Sequence, residues 1–300
     1  MIRPVAFRMN EQTAVNNFFQ EDIALKNAEV NAKAQEEFDA FVEKLRAVGV
    51  NVIVEDDDIQ LDTPDSIFPN NWISFHADSN IGLYPMFAEN RRRERREDIL
   101  IRLEKEGFII NNVYDYTSAE EEGIFLEGTG NLLLDRVNKK AYCALSPRAH
   151  EELLIEFCED FEYTPVMFTA NQTVADKRVP IYHTNVMMCL AEDFCVVCLD
   201  TIDNKTEKKN LLKHLKSDNK QVIDISEDQM HHFAGNMLQV QGADKKYLVM
   251  STAAHKSLSQ DQIETIEKSC DILSSDLTTI ETCGGGSARC MMAEVFLPRE

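Results

Sequence analysis

Basic residues are scarce in this chain: its 300 residues hold 31 Lys and Arg against 52 Asp and Glu, a formal net charge of −21. Nucleic acid is bound mainly by cations that neutralise phosphate, and anionic lipid attracts the same residues. Neither is an expected partner, and the favoured ligand is small and cationic or zwitterionic. No stretch reaches the roughly 20 consecutive apolar residues of a membrane span. The start, Met1 to Arg8, lacks the apolar region of an export signal, so a cytoplasmic location is expected. Also missing is a second CxxC. Cys195-Val-Val-Cys198 alone is half a zinc or redox site, and on a strand residues three apart face opposite ways. We therefore expect these cysteines to pack in a core as small hydrophobes, and all eight cysteines to be mostly reduced thiols.

What is present is ordinary in bulk. Apolar residues make up 44% and charged residues 28%, so the acidity sits on a normal globular composition and does not signal disorder. A chain of this length buries roughly 75% of its unfolded surface. Length alone suggests about two domains, although closed α/β folds reach this size as one.

A repeat runs through the pattern. Apolar spacing of three and four predicts helices over residues 27–48 (Val30, Ala34, Phe38, Phe41, Leu45), 92–106, 147–161, 205–216 and 259–273. Each is followed by a β-rich run: residues 50–54, 107–110, 164–168, 221–225 and 277–280. Then comes a polar or glycine-rich knot, at Phe68-Pro-Asn70-Asn71, Glu127-Gly-Thr-Gly-Asn131, His183-Thr-Asn185, Ala234-Gly-Asn236 and Gly285-Gly-Ser-Ala-Arg-Cys290. The chain then turns apolar again. Asn71, Asn131, Asn185, Asn236 and Cys290 lie 60, 54, 51 and 54 residues apart. Five ββαβ units of about 60 residues thus account for the chain. The fifth unit ends early, and Pro4-Val5-Ala6-Phe7 at the amino terminus is expected to complete it, closing a ring without an exposed edge. In such a ring the five knots meet near the axis.

The knots then bring together a thiol (Cys290), an imidazole (His183) and a carboxylate (Glu127), the kinds of group that serve as nucleophile, acid/base and orienting residue. Each alone reads as structure. Together, at equivalent places beside glycines that let a ligand approach the backbone, they read as a catalytic site.

The motifs Asp65-Ser-Ile-Phe-Pro-Asn-Asn71-Trp72, Glu127-Gly-Thr-Gly-Asn131, Leu145-Ser-Pro-Arg148, His183-Thr-Asn185 and Gly284-Gly-Gly-Ser-Ala-Arg-Cys290-Met resemble those of the guanidine-modifying enzyme superfamily, the penteins. The likeness is strongest to the arginine deiminase-related, citrulline-utilisation branch and runs over residues 1–300, taken as a single catalytic domain. It implies a five-bladed α/β propeller of ββαβ units, in accord with the repeat count. It also implies a cysteine-dependent hydrolase with no cofactor and no metal. Cys290 thiolate would attack the central carbon of a guanidino or ureido group, and His183 would protonate the departing nitrogen and later activate water. Glu127 would hold substrate nitrogens or His183 in register. A cationic His183 would favour the thiolate. Arg289, next to Cys290, is expected to face away.

The departures bear on substrate. Many relatives carry acidic residues where this chain has Asn70, Asn71 and Asn185. Carboxylates suit a guanidinium, whereas carboxamides both donate and accept and suit a neutral ureido group. The sequence reading is therefore citrulline, cleaved to ornithine, ammonia and carbon dioxide. Asp65 remains acidic, so an arginine deiminase-like or dimethylarginine hydrolase-like reaction stays open, as does amidino transfer to an amine. Arg91, Arg92 and Arg136 are candidates for the substrate carboxylate. Gly284-Gly285-Gly286 is either a flap or a turn. A ribosome-binding role fits poorly with the charge, and a zinc site on His231-His232 fits poorly with adjacent side chains facing apart. Self-association is left open.

Overall fold

The computed structural model describes residues 1–21 and 25–300. The helix Asn27–Ala47 shows why the elements form. Val30, Ala34, Phe38, Phe41, Val42 and Leu45 recur at three, four and one and are all buried, a single apolar stripe that drives the helix onto the core. Burying Phe38 and Phe41 contributes roughly 2 kcal/mol each. The helix ends at Gly49, whose φ of +86° suits glycine, and a Cβ there would lie 2.6 Å from that of Ala243.

Four three-stranded sheets share one plan, an antiparallel hairpin followed by a helical crossover to a parallel third strand. The first joins Ile73–Phe75, Asn80–Leu83 and Asn112–Asp115, with the helix Glu97–Lys105 as crossover. The second joins Leu133–Asp135, Lys140–Leu145 and Thr164–Thr169 through Glu151–Asp160. The third joins Met188–Leu190, Phe194–Val197 and Gln221–Asp224 through Lys205–Ser217. The fourth joins Leu238–Gln241, Lys246–Ser251 and Asp271–Ser275 through Thr252–Ser257 and Gln260–Ile266. Across the helix Asn27–Ala47, Ile2–Arg3 pairs in parallel with Glu55–Asp56 as a two-stranded sheet. Arg3 anchors that strand on the helix through paired 2.8 Å bonds to Asp39.

The polar knots are single helical turns that feed the first strand of each sheet. They cover Pro69–Asn71, Gly128–Asn131 and Thr184–Met187. Equivalent turns close with Asn236 N–H on Phe233 O and Cys290 N–H on Ser287 O.

Several expected boundaries move. The N-terminal strand is Ile2–Arg3, not residues 4–7. The third strand of the first sheet begins at Asn112, beyond residues 107–110. The helix expected over 259–273 stops at Ile266, because Asp271–Ser275 pairs with Lys246–Ser251. Residues 277–280, expected as a strand, enter the helix Thr278–Gly284, whose first N–H, of Thr278, is accepted by Asp276 and whose next two, of Thr279 and Ile280, by Glu37. Residues 291–295 follow Cys290 as irregular chain. A hairpin, Asn171–Val174 with Lys177–Pro180, is inserted before the third sheet. Cys195 and Cys198 are both buried in an apolar cluster with Cys189, Val196 and Leu211. Among the described residues no helix is long and apolar enough to cross a membrane.

Candidate active site

The helical turns carry residues from different sheets to one place. Cys290, 3% exposed, receives two amide donors on its sulfur, Asn185 Nδ2 at 3.3 Å and Asn236 Nδ2 at 3.2 Å. The Asn236 amide is fixed in that sense because its oxygen takes the Arg289 N–H at 3.1 Å. Two N–H groups aimed at a sulfur stabilise negative charge as it develops there. Oriented as its neighbours require, Asn70 donates to the Cys290 carbonyl at 2.6 Å and accepts from Gly130 N–H at 3.3 Å. It thus joins the turn that carries the thiol to the turn that follows Glu127.

His183 Nε2 lies 2.6 Å from Glu127 Oε2. The other oxygen of Glu127 accepts Phe87 N–H at 2.9 Å, and Arg148 stands 3.4 Å away. Burial alone would push the Glu127 carboxyl up. The Arg148 guanidinium, the His183 bond and Arg91 outweigh it and hold the group well below the usual carboxylate range. Burial dominates at His183 and takes it down to about 4 although Glu127 pulls it up. The resting pair is therefore carboxylate and neutral imidazole, with the proton on Nε2 and a lone pair on Nδ1. The resting ring is thus not the cation that would favour the thiolate, because so buried a ring loses more by desolvation than one carboxylate returns.

Gly130 explains part of the glycine pattern: a Cβ on it would sit 2.4 Å from Asn71 Nδ2 and 2.8 Å from His183 Nδ1. These two nitrogens can approach the turn so closely only because residue 130 has no side chain. At Gly128, φ is +41° and a Cβ would meet the Asn70 carbonyl at 2.5 Å.

Asp65, 2% exposed, accepts from Asn10 Nδ2 at 2.7 Å and Thr13 Oγ1 at 3.3 Å, both on Oδ2. Its pKa is pushed up by burial against the pull of Arg91. Asn71 accepts Arg91 Nη1 at 2.8 Å. Three buried polar atoms in this set have no partner, Asp65 Oδ1, Asn71 Nδ2 and Asn185 Oδ1. Buried polar atoms are nearly always paired in folded proteins, so these three are candidates for partners that a ligand would supply.

The three candidate arginines part company. Arg91 is 2% exposed and engaged with Glu94, Asn71 and the carbonyls of Phe68 and Asp65. Arg92 is half-buried, with Nε on Met86 O at 3.2 Å and 3.3 Å from Glu120. Arg136 stacks on Phe296, 3.9 Å from the ring centre, and touches His76 at 3.4 Å. None of its described contacts reaches Cys290, His183 or Glu127. Arg289 points to Met292 O and Glu294. Gly284 and Gly285 form a turn held by Asn17 and by Tyr182, whose hydroxyl donates to Gly285 O at 2.5 Å.

Some of this set escaped the sequence. Arg148 stood in a quoted motif without a role, and here it is buried against Tyr182 and bonded to Asn16 and Thr13 O. Asn236 had only its repeat-equivalent position as a signal. Asn10, Thr13 and Asn17 lie in a segment with no periodicity, and they contact the site only after folding. His231 and His232 meet Gln172 and Asp228 O respectively.

The family described as N,N dimethylarginine dimethylhydrolase, eukaryotic, matches the chain over residues 3–297. The chain belongs to that family. That family is one of guanidine-modifying hydrolases of the pentein superfamily. No curated protein matches it. Among solved structures, apo ArgZ, an arginine dihydrolase of the ornithine-ammonia cycle in cyanobacteria, superposes with a TM-score of 0.74 at 16% identity, over 100% of this chain and 40% of that one. AgrE, as a ternary complex with ornithine and NAD+, gives 0.73 at 17%, over 100% and 39%. A dimethylarginine dimethylaminohydrolase adduct with S-methyl-L-thiocitrulline gives 0.61 at 14%, over 97% and 96%. The chain thus spans about two fifths of full-length ArgZ and AgrE. At these identities the likeness is one of α/β fold.

Proposed function

We propose that the chain hydrolyses the ureido group of an amino acid, with citrulline the best fit, to ornithine, ammonia and carbon dioxide. The observation that carries this is the trio of unpartnered atoms, two acceptors (Asp65 Oδ1, Asn185 Oδ1) and one donor (Asn71 Nδ2). A ureido group has N–H groups for the acceptors and a carbonyl oxygen for the donor. A guanidinium offers donors only and would leave Asn71 Nδ2 facing another N–H. Burial that resists charge on Asp65 also favours a neutral partner.

Cys290 sulfur attacks the ureido carbon under the two amide donors, its proton passing to His183 Nδ1. That proton then leaves with the nitrogen as ammonia, giving a thiocarbamate on Cys290. His183, neutral again, takes a proton from water as the hydroxide attacks the same carbon. The sulfur departs, and the carbamate so formed breaks down to ornithine and carbon dioxide. Glu127 keeps the Nε2 proton in place and stabilises the imidazolium that forms in each half. Of Arg91, Arg92 and Arg136, Arg92 is best placed for the substrate carboxylate, since it bonds Met86 beside the Phe87 N–H that holds Glu127. Asn70 shapes the wall between Cys290 and Gly130.

The same reading takes residues 1–300 as one catalytic domain of five units closed in a ring, with the N-terminal strand in the fifth. Support comes from the four repeated sheets, from the parallel pairing of Ile2–Arg3 with Glu55–Asp56, and from contacts among residues of different knots.

A second reading has a specific basis: the family match favours a methylated guanidine, and the arginine dihydrolases among the structural neighbours act on arginine. Purified protein offered citrulline, arginine and dimethylarginine separates them. Ornithine and ammonia from citrulline are expected; ammonia and ornithine from arginine alone, or dimethylamine from dimethylarginine alone, would sink the ureido reading.

A further inference from the structure

Glu94 lies outside every motif, yet it is 3% exposed and holds Arg91 with two parallel bonds, Nε to Oε1 at 2.8 Å and Nη2 to Oε2 at 2.9 Å. From this grip Arg91 reaches Asn71 Oδ1 at 2.8 Å and the Phe68 carbonyl at 3.1 Å. A carboxamide turned by half a rotation exchanges donor for acceptor with little change of shape. Arginine has donors only, so Asn71 must show it oxygen and keep Nδ2 for the pocket.

The grip has a second effect. Arg91 Nε stands 3.9 Å from Asp65 Oδ2 and 2.8 Å from Glu94. With Glu94 neutral, Asp65 is the nearest carboxylate left to the guanidinium, so the grip keeps Arg91 on Asn71 and off Asp65 Oδ2, which already accepts from Asn10 and Thr13. Of the three open atoms, Asn71 Nδ2 therefore depends directly on where Arg91 is held.

We propose that Glu94 is a positioning residue: acting through Arg91, it fixes which end of the Asn71 carboxamide meets the substrate, and so sets the pocket's preference for a group that both accepts and donates. This rests on the ureido reading above. The alternative is that the buried pair only pins the turn Glu89–Glu94 to the loop at Asp65–Phe68.

The test replaces both charges, Arg91→Gln with Glu94→Gln, so that neither member of the Arg91–Glu94 pair is left as an unpaired buried charge and residue 91 can present either end of an amide. kcat/KM is measured on citrulline and on arginine. The ratio of the two is expected to fall about tenfold, the discrimination of one lost hydrogen bond, and to fall no further when the pair is added to Asn71→Ala. Equal losses on both substrates, or losses that simply multiply with Asn71→Ala, overturn the proposal. Should the Gln pair not fold, Glu94→Asp, which keeps the charge and shortens the reach, is read by the same ratio. A wild-type protein inert on citrulline sinks the ureido reading instead. The interaction of Glu94→Gln with Asn71→Ala is then read on arginine, where losses smaller than the product support the positioning role and full multiplication overturns it.

Discussion

Glu127 Oε2 and His183 Nε2 face each other across 2.6 Å with both side chains out of solvent. The carboxyl is held ionised while the ring is held neutral. That division of charge sets the order of proton transfers: His183 acts first as a base through Nδ1, and as an acid only after it has taken a proton.

Replacing Glu127 by Gln tests the pairing. A glutamine in this place can offer its NH2 to Nε2 and force the proton onto Nδ1, the wrong tautomer for a base. We expect kcat to fall by about 10²- to 10⁴-fold, in the range of a lost general-base contribution. Steady-state kinetics on the preferred substrate, with circular dichroism to confirm the fold, measure it. A variant within a few-fold of wild type would remove Glu127 from the mechanism.

The pH profile follows from His183. Its pKa in the folded protein is depressed to about 4 from the usual 6.5, so the base is available throughout the neutral range and is lost only as pH falls through 4. The acid limb of kcat/KM belongs near pH 4. A limb at pH 6 to 7 in a profile run from pH 3.5 to 8 would show that burial does not depress His183 below an ordinary imidazole. Stability moves with it: the unfolded chain binds a proton on His183 between pH 6.5 and 4 that the folded chain does not, so folding weakens as pH drops through that window.

The repeat spacing already held the four sheets and the contacts between turns of different repeats, such as His183 with Glu127 and Asn185 with Cys290, because a turn recurring every 50 to 60 residues leaves a mark in composition. The fourth and fifth units were harder. Residues 259–273 read as one helix since Ile263, Ile266 and Leu273 keep helical spacing. Only the pairing of Asp271–Ser275 with Lys246–Ser251 makes the end a strand, and pairing is not local information. Glu94 and Arg148 have no periodic signature, as a buried charge looks on paper like any solvated one. Arg136, one of three candidates for the substrate carboxylate, packs on Phe296 from the far end of the chain, a contact that no local pattern announces.

Gly130 offers a test of the space itself. An Ala side chain would sit 2.4 Å from Asn71 Nδ2 and 2.8 Å from His183 Nδ1, closer than atoms pack. Overpacking of this kind costs about 1–3 kcal/mol when neighbours shift, so Gly130→Ala should fold while both nitrogens are displaced. We expect kcat to drop at least about 100-fold, the cost of misplacing a catalytic group by an ångström. Near-normal turnover in the folded variant would mean that neither nitrogen needs its present position.

Glu281 places a charge change next to the thiol's own loop. It lies in the helix Thr278–Gly284, is 5% exposed and accepts Ser287 Oγ at 2.6 Å, three residues before Cys290. Burial, with Glu37 and Asp276 adding repulsion, pushes its carboxyl up to about 7 from 4.5, against the pull of Ser251 and Ser287. Between those two values the folded chain keeps a proton that the unfolded chain has released. The slope of stability against pH is set by protons bound in the unfolded state minus those bound in the folded one, so this group makes stability fall as pH rises from 4.5 to 7 and level off above. Glutamine keeps the bond to Ser287 and carries no charge. Glu281→Gln should therefore melt close to wild type at pH 5 and higher than wild type at pH 8, by a margin on the order of 5 °C. Thermal melts of both proteins at half-unit steps from pH 5 to 8.5 give the difference curve. A gap that stays constant across the series, or that opens toward acid, would show that Glu281 is ionised in the folded protein throughout and that its bond to Ser287 outweighs its burial.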